Sequence, residues 1–247
     1  MSEIKIDYTG NFSGTGVPSG AFDFWVQGVA ASGTLYYDGE DTTTGASAIP
    51  TGWEVRGSSE LKFTAEEANS TVAMTAVGSA PSVSLEYSTD GSTWNDFIVG
   101  TTTVTLPNVG DNMWIRAKTT NGRFGIDYER YNHFVMTGKI AASGSIMYLS
   151  KNDGDLDTIS IDHCFYNLFK GCSSLTTAPE LPATTLTQSC YAAMFQECTS
   201  LTTAPELPAT TLANSCYWSM FSYCTSLTTP PELPATTLAN YCYSYMF

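Results

Sequence analysis

Residues 190–215 read CYAAMFQECTSLTTAPELPATTLANS, a unit of 26 residues that recurs in tandem through the C-terminal part of the chain. Units open at Cys164, Cys190, Cys216 and Cys242. A fixed period of about 20–29 residues is typical of leucine-rich and related solenoids, whose units bury their apolar faces by stacking on their neighbours. The repeat therefore predicts a stacked array, which we place with its N-terminal cap at residues 139–247.

Each unit divides into three segments. The apolar side chains at its start recur at i, i+4, i+5 and i+8: Cys190, Met194, Phe195 and Cys198. This spacing predicts the buried face of a short helix of about two turns. The Thr-rich residues 199–203 predict a short strand that pairs with the same segment of neighbouring units. Pro205 and Pro208 predict an extended corner before the next unit.

All seven cysteines lie in the repeats. Residues eight apart on a helix are separated by about 12 Å of rise, well beyond the roughly 6 Å between Cα atoms that a disulfide needs. We therefore expect Cys190 and Cys198 to be buried thiols, each stacked on its counterpart in the next unit; sequence leaves a disulfide between units open. No cysteine spacing with supporting histidines is typical of a zinc site, so no metal is predicted.

Two pairs of positions differ from unit to unit. They are residues 166–167, 192–193, 218–219 and 244–245 after each opening cysteine, and residues 170–171, 196–197 and 222–223 before the second cysteine. On the predicted helix these positions face outward. We predict a ligand-binding face from its variable side chains: Tyr166, Trp218, Tyr223, Ser244 and Tyr245. The alternative is that these side chains only pack on neighbouring units.

The chain is strongly acidic. It has 247 residues, 10 Lys and Arg against 24 Asp and Glu, a formal charge of −14, and no basic residue after Lys170. Nucleic acids and anionic membranes need a positive surface, so neither is an expected partner. No apolar run approaches the roughly 20 residues of a membrane-spanning helix. Residues 1–7 lack the basic start and apolar core of a secretory signal, so we expect no export signal.

Residues 1–58 predict a small N-terminal β module with strands over residues 22–29 and 33–37. An isolated pair of strands is marginal in water, so we expect this module to serve attachment or oligomerisation. The acidic residues 38–41 lack the spaced ligands of a calcium loop, and no calcium site is predicted.

Residues 59–138 alternate with a period of two in six short stretches: residues 61–64, 71–76, 83–87, 101–106, 113–118 and 133–137. Turn sequences such as Asn121-Gly122 separate these stretches. Short strands at regular spacing predict an antiparallel β-sandwich, most simply an immunoglobulin-like one. Residues 139–163 are placed to cap the array. The fold class predicted is mostly β, with short helices only in the repeats.

Nothing in the sequence indicates catalysis. There is no Gly-rich phosphate loop and no nucleophile-elbow motif. Glu180, Glu206 and Glu232 recur once per unit, so they form a row of like charges rather than a converging pair of acids. We expect a chain that is not an enzyme, with no catalytic residues and no cofactor.

The repeats at 190–213 and 216–239 resemble the leucine-rich repeats of BspA-like surface proteins of gut anaerobes and of related proteins of their phages, including crAss-like phages. Residues 85–94 and 136–144 are similar to the β region that often precedes such repeats. The resemblance spans residues 59–247. It implies adhesion: bacterial members bind host matrix, mucus or other cells, and phage versions lie on head or tail fibres.

The resemblance and the expected lack of an export signal together favour a phage virion protein made in the host cytoplasm. Its repeats would bind a host-surface glycan or protein, and residues 1–58 would join it to other virion proteins. By analogy with fibres we expect a homo-oligomer, for example a trimer. Two alternatives stay open: a purely structural virion component, and an adhesin on a bacterial cell surface.

Overall fold

The computed structural model describes residues 33–36, 53–56, 60–120, 122–150 and 156–247. By its contacts the chain divides into two compact units, Met1–Ser59 and Glu60–Phe247. The second unit contains both the predicted sandwich segment and the repeats, and one hydrophobic cluster runs through them. The boundary placed at residue 138 therefore stays a prediction about the organisation of the sequence.

In the first unit, β1 (Gly33–Tyr36) and β2 (Trp53–Arg56) form a two-stranded parallel sheet. The strand predicted over residues 33–37 is confirmed, whereas β2 has no counterpart among the predicted strands. The strand predicted over residues 22–29 and the acidic loop that follows β1 lie outside the described residues.

A six-stranded sheet runs through the second unit. Its strands are β3 (Leu61–Ala65), β5 (Leu85–Ser88), β6 (Asn95–Phe97), β8 (Asn112–Ala117), β11 (Ile140–Ser143) and β12 (Leu175–Thr177). Their spatial order is β12-β11-β3-β8-β5-β6, and every pair is antiparallel except β11 with β12. Because β12 belongs to the first repeat, this sheet continues directly into the array.

A four-stranded antiparallel sheet accompanies it. Its strands are β4 (Ser70–Val77), β7 (Thr103–Leu106), β9 (Gly125–Asp127) and β10 (Arg130–Thr137), in the order β7-β4-β10-β9. Alternate residues of β4 and β10 are buried, among them Val72, Met74 and Phe134. This alternation follows from the pleat of a strand with one face on a core.

Three phenylalanines join the two sheets to the repeats. The ring of Phe63 on β3 lies 5.1 Å from that of Phe134 on β10, between ring centroids. The ring of Phe169, in the first repeat, lies 6.2 Å from Phe63 and 5.0 Å from Phe134. The prediction of a mostly β chain is confirmed. All six stretches predicted as strands in this region contain one, while β6 and β9 have no predicted counterpart.

The short helices predicted in the repeats are wrong. In the described part of the chain, residues 190–198 form consecutive tight turns and not a helix. The Ala192 N–H donates to the carbonyl of Ser189, and the Met194 N–H donates to the carbonyl of Tyr191. These turns overlap, and their left-handed residue recurs every four positions, so side chains four residues apart return to the same face. This gives the cysteine spacing that resembles a helical period.

Residues with positive φ recur every four positions through the turns. They are His163, Asn167, Gly171, Ser189, Ala193, Glu197, Ser215, Ser219, Tyr223, Tyr241 and Tyr245. Ala193, with φ of 52°, is the third residue of the turn closed by Met194 and Tyr191, the place of the left-handed residue in a type II turn. An α-helix excludes this conformation, which costs an L-residue about 1–2 kcal/mol.

Alternate N–H groups in these turns donate to the next unit. Those of Tyr191 and Phe195 donate to the carbonyls of Cys216 and Met220, both at 3.0 Å. The same register, residue i to residue i+25, joins the first unit to the second and the third to the fourth. The left-handed residues orient alternate peptide groups toward the neighbouring unit. These N–H and carbonyl groups form their hydrogen bonds with that unit.

Aromatic side chains form two stacked columns along the array. Phe169, Phe195, Phe221 and Phe247 are 5.5, 5.7 and 6.0 Å apart between successive ring centroids. Phe165, Tyr191, Tyr217 and Tyr243 are 5.8, 6.0 and 5.9 Å apart. The rings in each column are nearly parallel, so the units are translated copies of one another with like side chains in contact.

The cysteines are buried free thiols, as predicted. The Cys198 Sγ donates to the carbonyl of Phe169 at 3.1 Å, and the Cys224 Sγ donates to that of Phe195 at 3.0 Å. Burial raises the pKa of Cys224 to about 11, so this thiol stays protonated at neutral pH. The second cysteine of a unit thus binds the main chain of the preceding unit.

The Thr-rich strand is shorter than predicted. Only the first unit forms a strand there, β12, whereas residues 199–203 take part through single parallel bridges from Thr203 to Thr177 and to Thr229. The first unit differs because its segment pairs with β11 of the six-stranded sheet, whereas residues 199–203 have only the same segments of neighbouring units as partners among the described residues.

The array begins on the sheets. The Phe134 N–H donates to the carbonyl of Leu168, and the Cys172 Sγ donates to the carbonyl of Phe134. Phe169 forms the equivalent pair of hydrogen bonds with the second unit: its N–H donates to the carbonyl of Met194, and its carbonyl accepts from the Cys198 Sγ. Phe124 likewise donates to the carbonyl of Cys164. Within the predicted cap, residues 139–163, strand β11 pairs with β12 of the first unit. The cap is therefore built jointly by these residues and the strands before them.

The left-handed positions give a prediction about stability. Gly171 has φ of 75°, and a Cβ there would meet no atom within 4 Å. We expect Gly171→Ala to lower the free energy of unfolding by about 1 kcal/mol, because only the backbone conformation resists it. Glu197 occupies the equivalent position with φ of 65°, so Glu197→Gly should act in the opposite direction. Denaturant unfolding measures both; stabilisation by Gly171→Ala would contradict the left-handed turn.

The tyrosine column gives a second prediction. The Tyr191 hydroxyl is buried and has no hydrogen-bond partner among the described residues, and the equivalent residue of the first unit is Phe165. Leaving such a group unpaired costs about 1–3 kcal/mol. We expect Tyr191→Phe to raise the free energy of unfolding in denaturant, whereas Tyr243→Phe, at a half-buried ring, should change it little. Destabilisation by Tyr191→Phe would show that this hydroxyl has a partner.

Candidate functional site

The residue before each opening cysteine forms a column along the array. His163, Ser189, Ser215 and Tyr241 occupy this position in successive units, and all four have φ between 52° and 60°. We call them the pre-cysteine column. Their backbone is fixed by the turn ladder, since the Ser189 N–H donates to the carbonyl of Asn214 at 3.0 Å. The side chain is therefore free to vary without changing the fold.

A second column runs beside it, two residues after each opening cysteine. It consists of Tyr166, Ala192, Trp218 and Ser244, which we call the post-cysteine column. Tyr166 is 8% exposed and Ala192 is 1% exposed, whereas Trp218 is half-buried. Successive members differ greatly in size, so the surface over this column is uneven.

A groove of about 340 Å³ lies where these columns meet the turn between β9 and β10. The repeats contribute all four residues of the pre-cysteine column, together with Tyr166 and Trp218 of the post-cysteine column. The turn contributes Asp127 and Tyr128. The volume is at the lower end of the roughly 300–1,000 Å³ of small-molecule sites.

The order of residue sizes explains the groove. Along the pre-cysteine column a histidine is followed by two serines and then a tyrosine, so two small residues lie between large ones. Along the post-cysteine column Ala192 separates Tyr166 from Trp218. Because the units stack in register, equivalent positions are aligned along the array. The small residues therefore leave a depression, and the larger side chains form its edges.

Strand β9 holds the buried end of the groove in place. A Cβ added to Gly125 would lie 2.8 Å from the Cβ of Tyr166 and 3.2 Å from its carbonyl oxygen. Only glycine permits this close approach of the strand to the first repeat. The Tyr166 ring also lies 5.6 Å from that of His163, between centroids.

The charges of the groove are those of Asp127 and its surroundings. Both Nε and Nη2 of Arg130 donate to Oδ2 of Asp127, and the Glu129 N–H donates to Oδ1 at 3.0 Å. These hydrogen bonds, chiefly those from Arg130, lower the pKa of Asp127. Burial, with a contribution from the Asp127 charge, raises the pKa of Tyr166. The groove thus contains a carboxylate whose charge is largely balanced by an arginine.

The surroundings of His163 favour its neutral form. Burial lowers its pKa, and Arg123 lowers it further, while Asp162 and Asp127 act in the opposite direction. A neutral imidazole offers one donor and one acceptor.

The groove contains two of the five predicted ligand-binding residues. Tyr166 and Trp218 line it, while Tyr223, Ser244 and Tyr245 lie elsewhere. Tyr223 and Tyr245 are 69% and 76% exposed, and the ring of Tyr245 meets that of Trp218 edge-on at 6.5 Å between centroids.

The expectation that all variable positions face outward is wrong for part of them. Five are buried: Tyr166, Asn167, Ala192, Ala193 and Ser219. The expectation came from the predicted helix, on which these positions would lie opposite the apolar face. In the turns, the post-cysteine column and its left-handed neighbours instead pack between units.

Six groove residues were missed by sequence reasoning: Asp127, Tyr128, His163, Ser189, Ser215 and Tyr241. Four of them had a visible signal, because the position before each opening cysteine also varies between units. The turn residues Asp127 and Tyr128 had none, since they are brought to the repeats by the packing of Phe124 and Gly125 on the first unit.

The groove has serine, histidine and aspartate side chains but no triad geometry. Among the described residues, the His163 ring forms no hydrogen bond to Ser189, Ser215 or Asp127. A nucleophilic serine would need a histidine within about 2.6–3.2 Å that is itself oriented by the acid. The arrangement is suited to contacting a ligand through several weak polar groups.

Residues 60–120, 122–150 and 156–247 contain no group of three or more His, Cys, Asp or Glu side chains placed to hold a metal ion. In the part of the chain that the structure describes, no helix has the length and apolar character needed to span a membrane. Comparisons with protein-family models, with curated proteins and with solved structures gave no match to this chain.

The two histidines predict how stability depends on pH. Burial lowers the pKa of both His133, whose Nδ1 contacts the Lys170 carbonyl at 3.2 Å, and His163, below the ordinary value of 6.5. As pH falls below 6.5 the unfolded chain therefore takes up protons first, and the free energy of unfolding decreases until the folded-state pKa is reached.

We expect His133→Gln and His163→Gln each to flatten this dependence above the range, about 3.9–4.3, in which carboxyl groups titrate. Denaturant unfolding at about pH 7.5 and about pH 5.5 measures it. An unchanged difference between the two pH values in the double variant would contradict the assignment to these residues.

Proposed function

We propose that this chain is a non-enzymatic recognition protein of a phage virion, part of a head or tail fibre or a decoration. Its repeats mediate adhesion to a glycan or protein of the host surface. Residues 1–58 attach it to other virion proteins, and the assembled form is a homo-oligomer. The virion setting rests on the resemblance of the repeats to BspA-like proteins and their phage relatives.

One observation carries the recognition function: side chains that vary between otherwise near-identical units converge in one groove. His163, Tyr166, Trp218 and Tyr241 come from positions that the repeat leaves free, and all four line it. Positions that serve only to stack units carry the same or a closely similar residue in each unit, as Leu201 and its counterparts do and as Phe165 and Tyr191 do. Rigid stacked units present the variable side chains with little loss of entropy on binding.

The proposal includes a finer description of the fold. The two sheets of residues 60–143 suit an immunoglobulin-like sandwich, because their short strands pair antiparallel and bury alternate residues in a shared core. The 26-residue units suit a leucine-rich-repeat-like solenoid in which tight turns take the place of helices. The sandwich then acts as the spacer that carries the recognition surface.

Exposed aromatic rings outside the groove favour a second candidate function. Tyr223 and Tyr245 expose 69% and 76% of their surface, a pattern typical of residues that pack against another protein. A purely structural virion component would use this surface, and not the groove, in contacts within the particle.

Attachment to cells tests the recognition function. The full chain, fluorescently labelled, should bind intact cells of some gut anaerobes in a saturable way, and Tyr166→Ala with Trp218→Ala should weaken this binding by about tenfold or more. Tyr223→Ala is the matched control, because it removes an exposed ring outside the groove. Binding lost with Tyr223→Ala but kept by the groove variant would instead favour the structural role.

The genomic setting tests the virion assignment separately. The genes beside this one should encode capsid, portal or tail proteins, and the chain should be detected by mass spectrometry in purified particles of that phage. Neighbouring genes for cell-wall anchoring or export would indicate a bacterial adhesin.

A further inference from the structure

The groove also indicates what class of ligand it takes, an inference that rests on the recognition function proposed above. We propose that it binds a neutral oligosaccharide, with sugar rings against the aromatic side chains and sugar hydroxyl groups bound by the polar ones.

Four aromatic side chains line the groove: Tyr128, Tyr166, Trp218 and Tyr241. Tyr128 and Tyr241 are 72% and 71% exposed, and Trp218 is half-buried. Such rings offer a large, rigid contact area with few rotatable bonds and, in tyrosine, a polar tip. A sugar ring has a matching surface, because its C–H groups form an apolar face and its hydroxyl groups lie around the rim.

Polar groups between the aromatic rings supply the hydrogen bonds. Asp127 accepts two hydrogen bonds from Arg130 at Oδ2 and one from the Glu129 N–H at Oδ1, so Oδ1 has a lone pair left for a further donor. Ser189 and Ser215 add hydroxyl groups to the middle of the groove, and neutral His163 adds one donor and one acceptor. Groups that both donate and accept suit sugar hydroxyls, which do the same.

Charge excludes acidic sugars. The chain has a formal charge of −14, and the groove itself contains the carboxylate of Asp127. The arginine beside it, Arg130, is already paired with that carboxylate. A second cation, Arg123, lowers the pKa of His163 but does not line the groove. An anionic ligand such as a sialylated or sulfated glycan would meet net repulsion, and no unpaired cation among the residues that line the groove. The ligand is therefore uncharged.

Size separates a glycan from a protein ligand. At about 340 Å³ the groove is of small-molecule size, whereas a stable protein interface covers about 800 Å² on each partner. Proteins of the host surface would need contacts well beyond the groove. A short oligosaccharide, of which one or two units enter the groove, needs none.

A glycan array tests the inference directly. The full chain is applied to neutral hexose and N-acetylhexosamine oligosaccharides, with sialylated and sulfated glycans on the same array. We expect binding to neutral members, and the best of them is then titrated while the fluorescence of Trp218 is followed. Trp218→Phe serves as the background for the other four tryptophans.

Two variants make the test specific to the groove. Trp218→Ala removes an aromatic wall, and Ser215→Tyr fills the floor with a side chain that the array already carries at the equivalent Tyr241. Each should weaken binding by about tenfold or more, while Tyr223→Ala should leave it unchanged. Since Ser215→Tyr introduces a residue compatible with the turn, loss of binding in a folded variant locates the ligand in the groove.

The inference is overturned if no array glycan binds, if only acidic glycans bind, or if binding survives both groove variants. Its failure is distinguishable from that of the recognition function by treating cells before the attachment assay. Periodate, which oxidises vicinal diols of sugars, should abolish attachment, and protease should not. Attachment that resists periodate and is lost with protease would leave recognition standing and replace the glycan with a protein.

Discussion

The hydrogen bond from residue i of one unit to residue i+25 of the next is the constraint on which the structure depends. It requires that alternate peptide groups point sideways out of each unit, and the backbone achieves this by placing a left-handed residue at every fourth position. Eleven non-glycine residues of the described chain have positive φ, and ten of them lie in these turns. The conformational cost is offset because the main chain of each unit becomes the partner of its neighbour.

This ladder explains why the units tolerate variation where they do. A residue such as Glu197 contributes its backbone to the stack and its side chain to the surface, so its identity is limited by the left-handed conformation alone. Phe195 and Cys198 contribute side chains to the columns between units and are the same in each full unit. A single four-residue turn therefore contains both residue types that are fixed, on the interior side, and residue types that vary, on the surface side.

The sequence predicted the sheets better than the repeats. Buried and exposed residues alternate in β4 and β10 because each strand has one face on the core. This alternation is apparent in the sequence of residues 71–76 and 133–137. The repeat period, the stacking of like on like and the buried thiols also followed from spacing. The turns could not be predicted, because a spacing of i, i+4 and i+8 fits a helix and a series of four-residue turns equally well. The positive φ angles distinguish the turns from a helix, but residue types such as Ala193 and Tyr245 do not indicate a positive φ. Tyr166 and Trp218 were predicted because their position varies between units, whereas Asp127 and Tyr128 reach the groove because Phe124 and Gly125 pack on the first repeat, a contact between segments far apart in sequence.

The match between Phe134 and the repeats has a consequence for how the array forms. A first left-handed turn with sideways peptide groups has no partner of its own, so an isolated unit gains little from adopting it. Phe124 and Phe134 already offer the carbonyl, N–H and ring that a preceding unit would offer. The sheets therefore act as the template for the first unit, as each unit does for the next.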